Sequence, residues 1–316
     1  MQLRPFGATG IRVSELGFGA WAIGGQSYGV ADRAESLRAL ARAEALGCNF
    51  VDTAAVYGDS EAVLGEFLAG RRGRWVVSTK YSGQPEGLLR TLEAQLRALR
   101  TDAVDFYMVH WAPGRGEEAL YEALAQAKRD GKARAVGVSL KTAADIDRVL
   151  AQPVVDGFML KLSLLDPDPF LARRERIAAR NAAVVVRSAL REGFLSGKYG
   201  ADSRFADPAD QRHAWSPAQV AALAGMVDRF RFLEAEAGSL AVAAARYPLA
   251  FREVSTVALG TRTLAQAEQN FGVVPGAALG ADSLARIARL QHEAGLRAKA
   301  PGLLHRLRQL ARRLLR

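Results

Sequence analysis

Residues 75–110 read WVVSTKYSGQPEGLLRTLEAQLRALRTDAVDFYMVH. The first six, Trp75 to Lys80, are rich in β-branched and aromatic types and predict a strand over 75–80. After Gly83 and Pro85 the apolar residues change to helical spacing, which predicts a helix over 87–99. A second apolar run predicts a strand over 104–110 that ends in His110. Strand, helix, strand is the unit, and it recurs on both sides. Upstream lie a strand over 15–19, a helix over 32–46 with Asp32 as N-cap, a strand over 50–52 and a helix over 59–68. Downstream come a helix over 117–129, a strand over 133–138, a helix over 142–150, a strand over 157–162, a helix over 170–180 and a strand over 183–187. A long irregular stretch with helical patterns over 217–235 and 240–247 leads to a strand over 254–259 and helices over 264–271 and 281–293. A hairpin over 3–13 turns around Gly7 and Gly10. Eight β-then-α units with no break in composition predict an α/β chain, a closed (β/α)8 TIM barrel with an N-terminal β-hairpin and extra C-terminal helices. The open doubly wound alternative lacks its G-x-G-x-x-G turn.

Charge and composition narrow the class. The chain has 316 residues, 49% of them hydrophobic, and a net charge of +10. Seven basic residues and no acidic one fall from Arg297 onward, which leaves 36 basic against 33 acidic residues on 1–296. The body is therefore nearly neutral, unlike a nucleic-acid-binding surface. We expect one domain over 1–296 and a basic amphipathic tail over 297–316, in which Leu303, Leu307, Leu310 and Leu314 recur at helical spacing. A peripheral membrane or acidic-partner contact is one role for that tail; packing on the barrel and disorder are the others. No apolar run is long enough to span a bilayer, and the N-terminus lacks a signal-peptide core. The single cysteine, Cys48, suits a cytoplasmic setting and a buried turn, and no cluster suits a metal.

In a barrel of this kind function sits at the C-terminal strand ends. The polar residues there are Asp52, Lys80 and His110, with Tyr57 five residues beyond Asp52. A lysine beside a carboxylate stays charged, and a cation near a phenol favours phenolate. Such a tyrosine can exchange a proton with an oxygen, and a histidine can hydrogen-bond a carbonyl. Each residue singly has a plain structural role open to it; their conjunction suits proton transfer to a carbonyl oxygen whose carbon receives something else, such as hydride.

The chain resembles the aldo-keto reductases over nearly its whole body. The resemblance is carried by GFGAWAIGG at 17–25, FVDTAAVYG at 50–58, STK at 78–80, VHW at 109–111, GVS at 137–139, GFLSGK at 193–198 and VSTVALGTRT at 254–263. It implies NADP(H) bound without a Rossmann domain, and reversible reduction of a small carbonyl substrate. Tyr57 would be the general acid, Lys80 would tune it, Asp52 would hold Lys80 and His110 would orient the carbonyl. The adenosine end would lie on 260–270, with Arg262 on the 2′-phosphate and Gly260, Gln266, Gln269 and Asn270 around it. The loop 188–198, with Ser188, Leu190, Gly193 and Lys198, would fold over the pyrophosphate. Gly19, Trp21, Asp52, Ser139 and Arg187 complete the expected cofactor contacts; Trp21, Tyr28 and Trp111 would ring the substrate.

The departures are specific. Leu140 and Met159 stand where the family usually places an Asn and a Gln that hold the nicotinamide carboxamide. Arg187 stands where many members stack a tyrosine under the nicotinamide, and Ala20 replaces the usual Thr. A second reading therefore stays open, a catalytically slow cofactor-binding regulatory barrel acting through a partner or the basic tail. A barrel isomerase using Tyr57 and Lys80 without hydride is a third, but it leaves Arg262 without a role.

Overall fold

The computed structural model describes residues 1–25, 31–114 and 117–297, so Tyr28 and all of the tail beyond Arg297 lie outside the described residues. An antiparallel hairpin of β1 (Leu3–Pro5) and β2 (Arg12–Ser14) opens the chain. Eight parallel strands follow: β3 (Leu16–Gly19), β4 (Phe50–Asp52), β5 (Val76–Tyr81), β6 (Val104–Val109), β7 (Ala133–Ser139), β8 (Gly157–Lys161), β9 (Ala183–Arg187) and β10 (Thr256–Gly260). Each pairs with the next, and β10 pairs with both β9 and β3, which closes the barrel. The crossovers are α1 (Arg33–Ala45), α2 (Ser60–Leu68), α3 (Leu88–Leu99), α4 (Ala119–Arg129), α5 (Ala143–Leu150) and α6 (Phe170–Arg180), one after each of β3 to β8. After β9 come α7 (Pro217–Asp228), α8 (Glu234–Ala237) and α9 (Leu240–Leu249); after β10 come α10 (Leu264–Ala267) and α11 (Ala281–Glu293). Among the described residues no helix is long and apolar enough to cross a membrane.

Local chemistry explains the boundaries. Asp32 Oδ1 accepts from Glu35 N at 2.8 Å and starts α1. Thr142 with Asp145, and Ser216 with Gln219, form reciprocal capping boxes on α5 and α7. Two helical expectations are corrected. The pattern over 217–235 is not one helix: it breaks into α7, a 3-10 turn at Arg231–Leu233 and α8. Val227, Phe230 and Leu233 are all buried. Apolar residues spaced strictly by three line up most closely in a tighter, three-residue turn. The pattern over 264–271 is one α-helical turn, α10, that widens into a π-helical turn at Glu268–Val273. Strand ends also shift by one: β5 runs on to Tyr81, and β6 stops at Val109. His110 is nevertheless fastened to the barrel, its N–H donating to Tyr81 O at 2.7 Å.

The two-residue period of a strand sorts the side chains. Val51, Val77, Tyr107, Val136, Phe158, Val184 and Val257 point outward into the layer packed by the helices. Phe50, Val76, Phe106, Met108, Ala135, Met159, Val185 and Ala258 point inward and form a second cluster with Phe6, Ile11 and Val13 of the hairpin. Phe6 meets Phe106 edge-on at 5.0 Å, so the hairpin stoppers one end of the barrel. That end is the strands' N-terminal end: a Cβ on Gly7, whose φ is +55°, would lie 2.4 Å from the backbone N of Ala183, the first residue of β9. The hairpin leaves the opposite, C-terminal end as the barrel's mouth.

Candidate active site

Two residues beyond the inward apolar layer, the same period turns the next side chains toward the mouth. Those positions are Asp52 after Phe50, Lys80 after Ser78, His110 after Met108, Ser139 after Gly137, Lys161 after Met159, Arg187 after Val185 and Gly260 after Ala258. A ring of polar residues thus follows from strand parity. Register staggers part of it: Asp52 lies beside Ser78, two residues below Lys80, and Lys80 beside Met108, two below His110, whereas Lys161 and Arg187 are level.

Lys80 is fully buried and donates to Asp52 Oδ2 at 2.6 Å and to Thr53 O at 2.7 Å; Ser78 Oγ donates to Asp52 Oδ1 at 2.9 Å. Burial works against the ammonium, but the Asp52 carboxylate and then Tyr57 outweigh it, and Lys80 titrates above its ordinary value. A buried ion pair is a poor way to add stability, since apolar residues of similar volume often do as well. Its presence here points to chemistry. Lys80 Nζ lies 5.0 Å from the Tyr57 ring centroid, and Tyr57 lies 5.8 Å edge-on from His110. Burial, with the charges of Lys80, Arg187 and Lys141 added, pushes His110 down to about 3, so the imidazole is neutral. His110 Nδ1, Ser139 Oγ and Arg187 Nε are buried with no hydrogen-bond partner among the described residues.

The loop that carries Tyr57 is held from two sides. Thr53 N donates to Ser78 O and Ala55 N to Lys80 O, which ties it to β5. On the other side stands the 3-10 turn Ala20–Gly24, where Ser60 Oγ donates to Ala20 O at 3.0 Å. A Cβ on Gly24 would lie 1.7 Å from Tyr57 O. Only a residue without a side chain lets the two segments close.

The structure brings Asp52, Tyr57, Lys80 and His110 together, as expected. Trp21 lies 6.1 Å from Tyr57, and Trp111 stacks on His110 at 4.8 Å with 41% of its surface exposed. Leu140, one residue past the inward Ser139, turns outward into the helix layer, while Met159 faces the interior. Neither can hydrogen-bond an amide through its side chain. In the loop after β9, Ser188, Arg191, Glu192 and Gly193 all have positive φ. A Cβ on Gly193, at φ +89°, would press on Tyr199 at 3.2 Å. Leu190 is half-buried there and Lys198 is exposed.

The segment after β10 is partly self-satisfied. Gln266 Oε1 accepts from Arg262 N at 2.8 Å and from Thr263 N, closing a capping box. Asn270 is buried, and its Nδ2 donates to Thr261 Oγ1 at 2.9 Å and to Gly260 O. Arg262 and Gln269 are half-buried, and Gly260 is exposed. Sequence reading overlooked four residues. Gly24 shapes the Tyr57 loop. Glu35, on α1, accepts from Leu264 N at 2.7 Å, at the head of the segment expected to meet the adenosine phosphate. Lys141 lies 3.9 Å over the Trp111 ring. Lys161 was legible by counting two from Met159; the others depend on contacts between elements that carry no local signal. Cys48 is a buried turn residue, as expected, and burial pushes its thiol up to about 12. His213 is exposed.

Comparison with known proteins extends the geometry. An aldo-keto reductase of Bacillus halodurans, in its holo form, superposes with a TM-score of 0.77 at 25% identity, covering 92% of this chain and 96% of that one. The chain is 31% identical over 218 residues to an aldo-keto reductase of Strobilurus tenacellus, covering 63% of this chain and 65% of that protein, just under two thirds of its length. It is 30% identical over 230 residues to the NADH-specific methylglyoxal reductase of Escherichia coli, covering 62% of this chain and 70% of that one. The model of the Aldo/keto reductase family matches residues 15–292, from the start of the barrel to the last described helix and across every strand end that lines the mouth. By that match the chain belongs to the aldo/keto reductase family.

Proposed function

We propose that the chain is an NADPH-dependent oxidoreductase that reduces an aldehyde or ketone to the alcohol, with Tyr57 as the proton donor. The observation that carries this reading is the buried Lys80, fixed by Asp52 and Thr53 O and set against the ring of Tyr57. The residues present fit a nicotinamide dinucleotide. Ser139 Oγ is a buried polar atom at the mouth without a partner among the described residues, suited to the carboxamide. The loop 188–193, with positive φ at Ser188, Arg191, Glu192 and Gly193, suits a pyrophosphate, and Arg262 suits a 2′-phosphate. When bound, that cofactor supplies hydride to the carbonyl carbon. The protein's part is the proton and the field. Tyr57 Oη–H gives its proton to the carbonyl oxygen as negative charge develops there. Lys80 places a positive charge beside the phenolate that remains. Neutral His110 offers an N–H to the same oxygen and orients it without competing as an acid.

A decrease in absorbance at the nicotinamide band, across a panel of aldehydes and ketones, tests the reading. Tyr57→Phe should lower kcat by about 10²–10⁴ while NADPH still quenches protein fluorescence. Unchanged turnover in that variant would remove Tyr57 as the acid. Arg262→Ala should weaken NADPH far more than NADH; equal weakening would show that no 2′-phosphate rests there. The apolar Leu140 and Met159 favour the slower, cofactor-sensing reading, and NADPH binding without turnover across the whole panel would select it.

A further inference from the structure

Most charges at the mouth come in matched sets. Lys80 is taken by Asp52. Lys161 and Arg191 share Asp166 and Glu192 in a closed ring: Lys161 Nζ is 3.5 Å from each carboxylate, Arg191 Nε is 3.2 Å from Asp166, and Arg191 Nη1 meets Glu192. Asp145, four residues after Lys141, is bonded to Arg148 at 2.7 Å. Arg187 and Lys141 are different: among the described residues neither has a carboxylate within 4 Å of its charged nitrogens. Both sit at Trp111, with Lys141 Nζ 3.9 Å and Arg187 Cζ 5.8 Å from its ring centroid, and Trp111 stacks on His110. Arg187 Nη2 donates to Leu140 O at 3.2 Å, but its Nε is buried and has no partner among the described residues.

An unpaired donor on a buried cation is unfavourable in the free protein, and an anion brought in by a ligand relieves it. Pairing also separates similar ligands. A site built to bond a polar group rejects the analogue that lacks it, because the site's own group is then left bare. We propose that Arg187 and Lys141 select carbonyl substrates that also bear a carboxylate, the class of oxo acids and aldehyde acids. Arg187 Nε–H receives the carboxylate, Trp111 lies against the carbon chain between charge and carbonyl, and Lys141 attracts the anion from the rim. The carbonyl itself reaches His110 and Tyr57. This rests on the carbonyl-reductase reading above, and it moves Arg187 from the expected cofactor contacts to the substrate's.

The test compares 4-oxobutanoate with its methyl ester, which offer the same aldehyde with and without the charge, using the full chain and NADPH. The ratio of kcat/KM, acid over ester, should be about tenfold to a hundredfold. Arg187→Met should bring the ratio close to one. Arg187→Gln, which keeps an N–H donor, serves if the first variant does not fold. Lys141→Met should lower the ratio by a smaller factor, one that about 0.5 M salt also removes from the parent protein. NADPH affinity, read by protein fluorescence, is measured on the same variants. An ester as good as the acid overturns the proposal and leaves the reductase reading intact. An unchanged ratio in both Arg187 variants with weakened NADPH assigns the guanidinium to the cofactor and also overturns it. If no aldehyde of any charge consumes NADPH, the reductase reading fails, and this proposal with it.

Discussion

His110 shows how much of a residue's chemistry its neighbours decide. Its place at a strand end is visible in the sequence, but its protonation state is not. Neutrality comes from burial and from Lys80, Arg187 and Lys141, which arrive on three other strands and loops. Two outcomes follow. The pH profile of kcat/KM should show no limb near 6.5, the ordinary value of a histidine. Stability carries the opposite signature. The folded value lies below the unfolded one, so the unfolded chain binds the proton first. His110's contribution to stability is therefore complete above about pH 6.5 and is lost progressively as pH falls toward about 3. Urea unfolding at pH 7, 6 and 5 should lose up to about 1.4 kcal/mol per pH unit more in the parent protein than in His110→Gln. Equal slopes would mean that His110 titrates normally. Asp52 and Lys80 were legible because each ends a strand that its own apolar run marks, and Tyr57 because it lies five residues past Asp52. Gly24 and Lys141 were not, because each acts on a residue more than twenty-five positions away.

Elements explain why these side chains converge. Counting by two along each strand carries the reader from an inward apolar residue to a polar one at the mouth, with no knowledge of the neighbouring strands. The loop between β4 and α2 is less predictable. Tyr57 sits where it does because the turn Ala20–Gly24 packs against that loop, with Gly24 touching the Tyr57 carbonyl. Gly24→Ala should force the two segments apart. We expect kcat to fall about tenfold or more, because a displacement of about 1 Å at a catalytic group is enough for that, while overpacking costs about 1–3 kcal/mol. Steady-state kinetics beside a thermal melt check this; a normal kcat would show that the Tyr57 loop is not positioned by the turn. The broken helix over 217–235 teaches the same lesson from the other side. Its composition is helical throughout, yet the chain tightens where Val227, Phe230 and Leu233 are buried together.

Across the whole molecule, the hairpin and the barrel's closing seam form one unit. The Arg4 guanidinium donates to Leu249 O at 2.7 Å, Val254 O at 3.0 Å and Phe251 O at 3.3 Å, joining β1 to the connection between α9 and β10. Arg4→Ala leaves three carbonyls short of a donor. The expected loss is about 1–3 kcal/mol, seen as a melting temperature lower by a few degrees with kcat/KM unchanged, since the mouth is at the far end. An unaltered melt would separate the hairpin from the cooperative fold. The same scale explains the charge. The body's small surplus says little, because Asp52 with Lys80, and the four-residue ring around Lys161, cancel locally. What matters is where cancellation fails.

The sequence by itself determined the repeating strand-and-helix order, the closed barrel and the four residues expected to do chemistry. These depend on the periodicity of each strand and helix and on which polar residue ends each strand, which the chain carries locally. Tertiary structure alone decided which polar groups were left unpaired. Ser139 Oγ and Arg187 Nε are orphaned, Asn270 is occupied by Thr261 and Gly260, Gln266 is spent on its own helix start, and His110 is neutral. Whether a buried group has a partner, and whether a charge is cancelled, depends on distances of a few ångströms between segments far apart in the chain. No local pattern of residues encodes those distances.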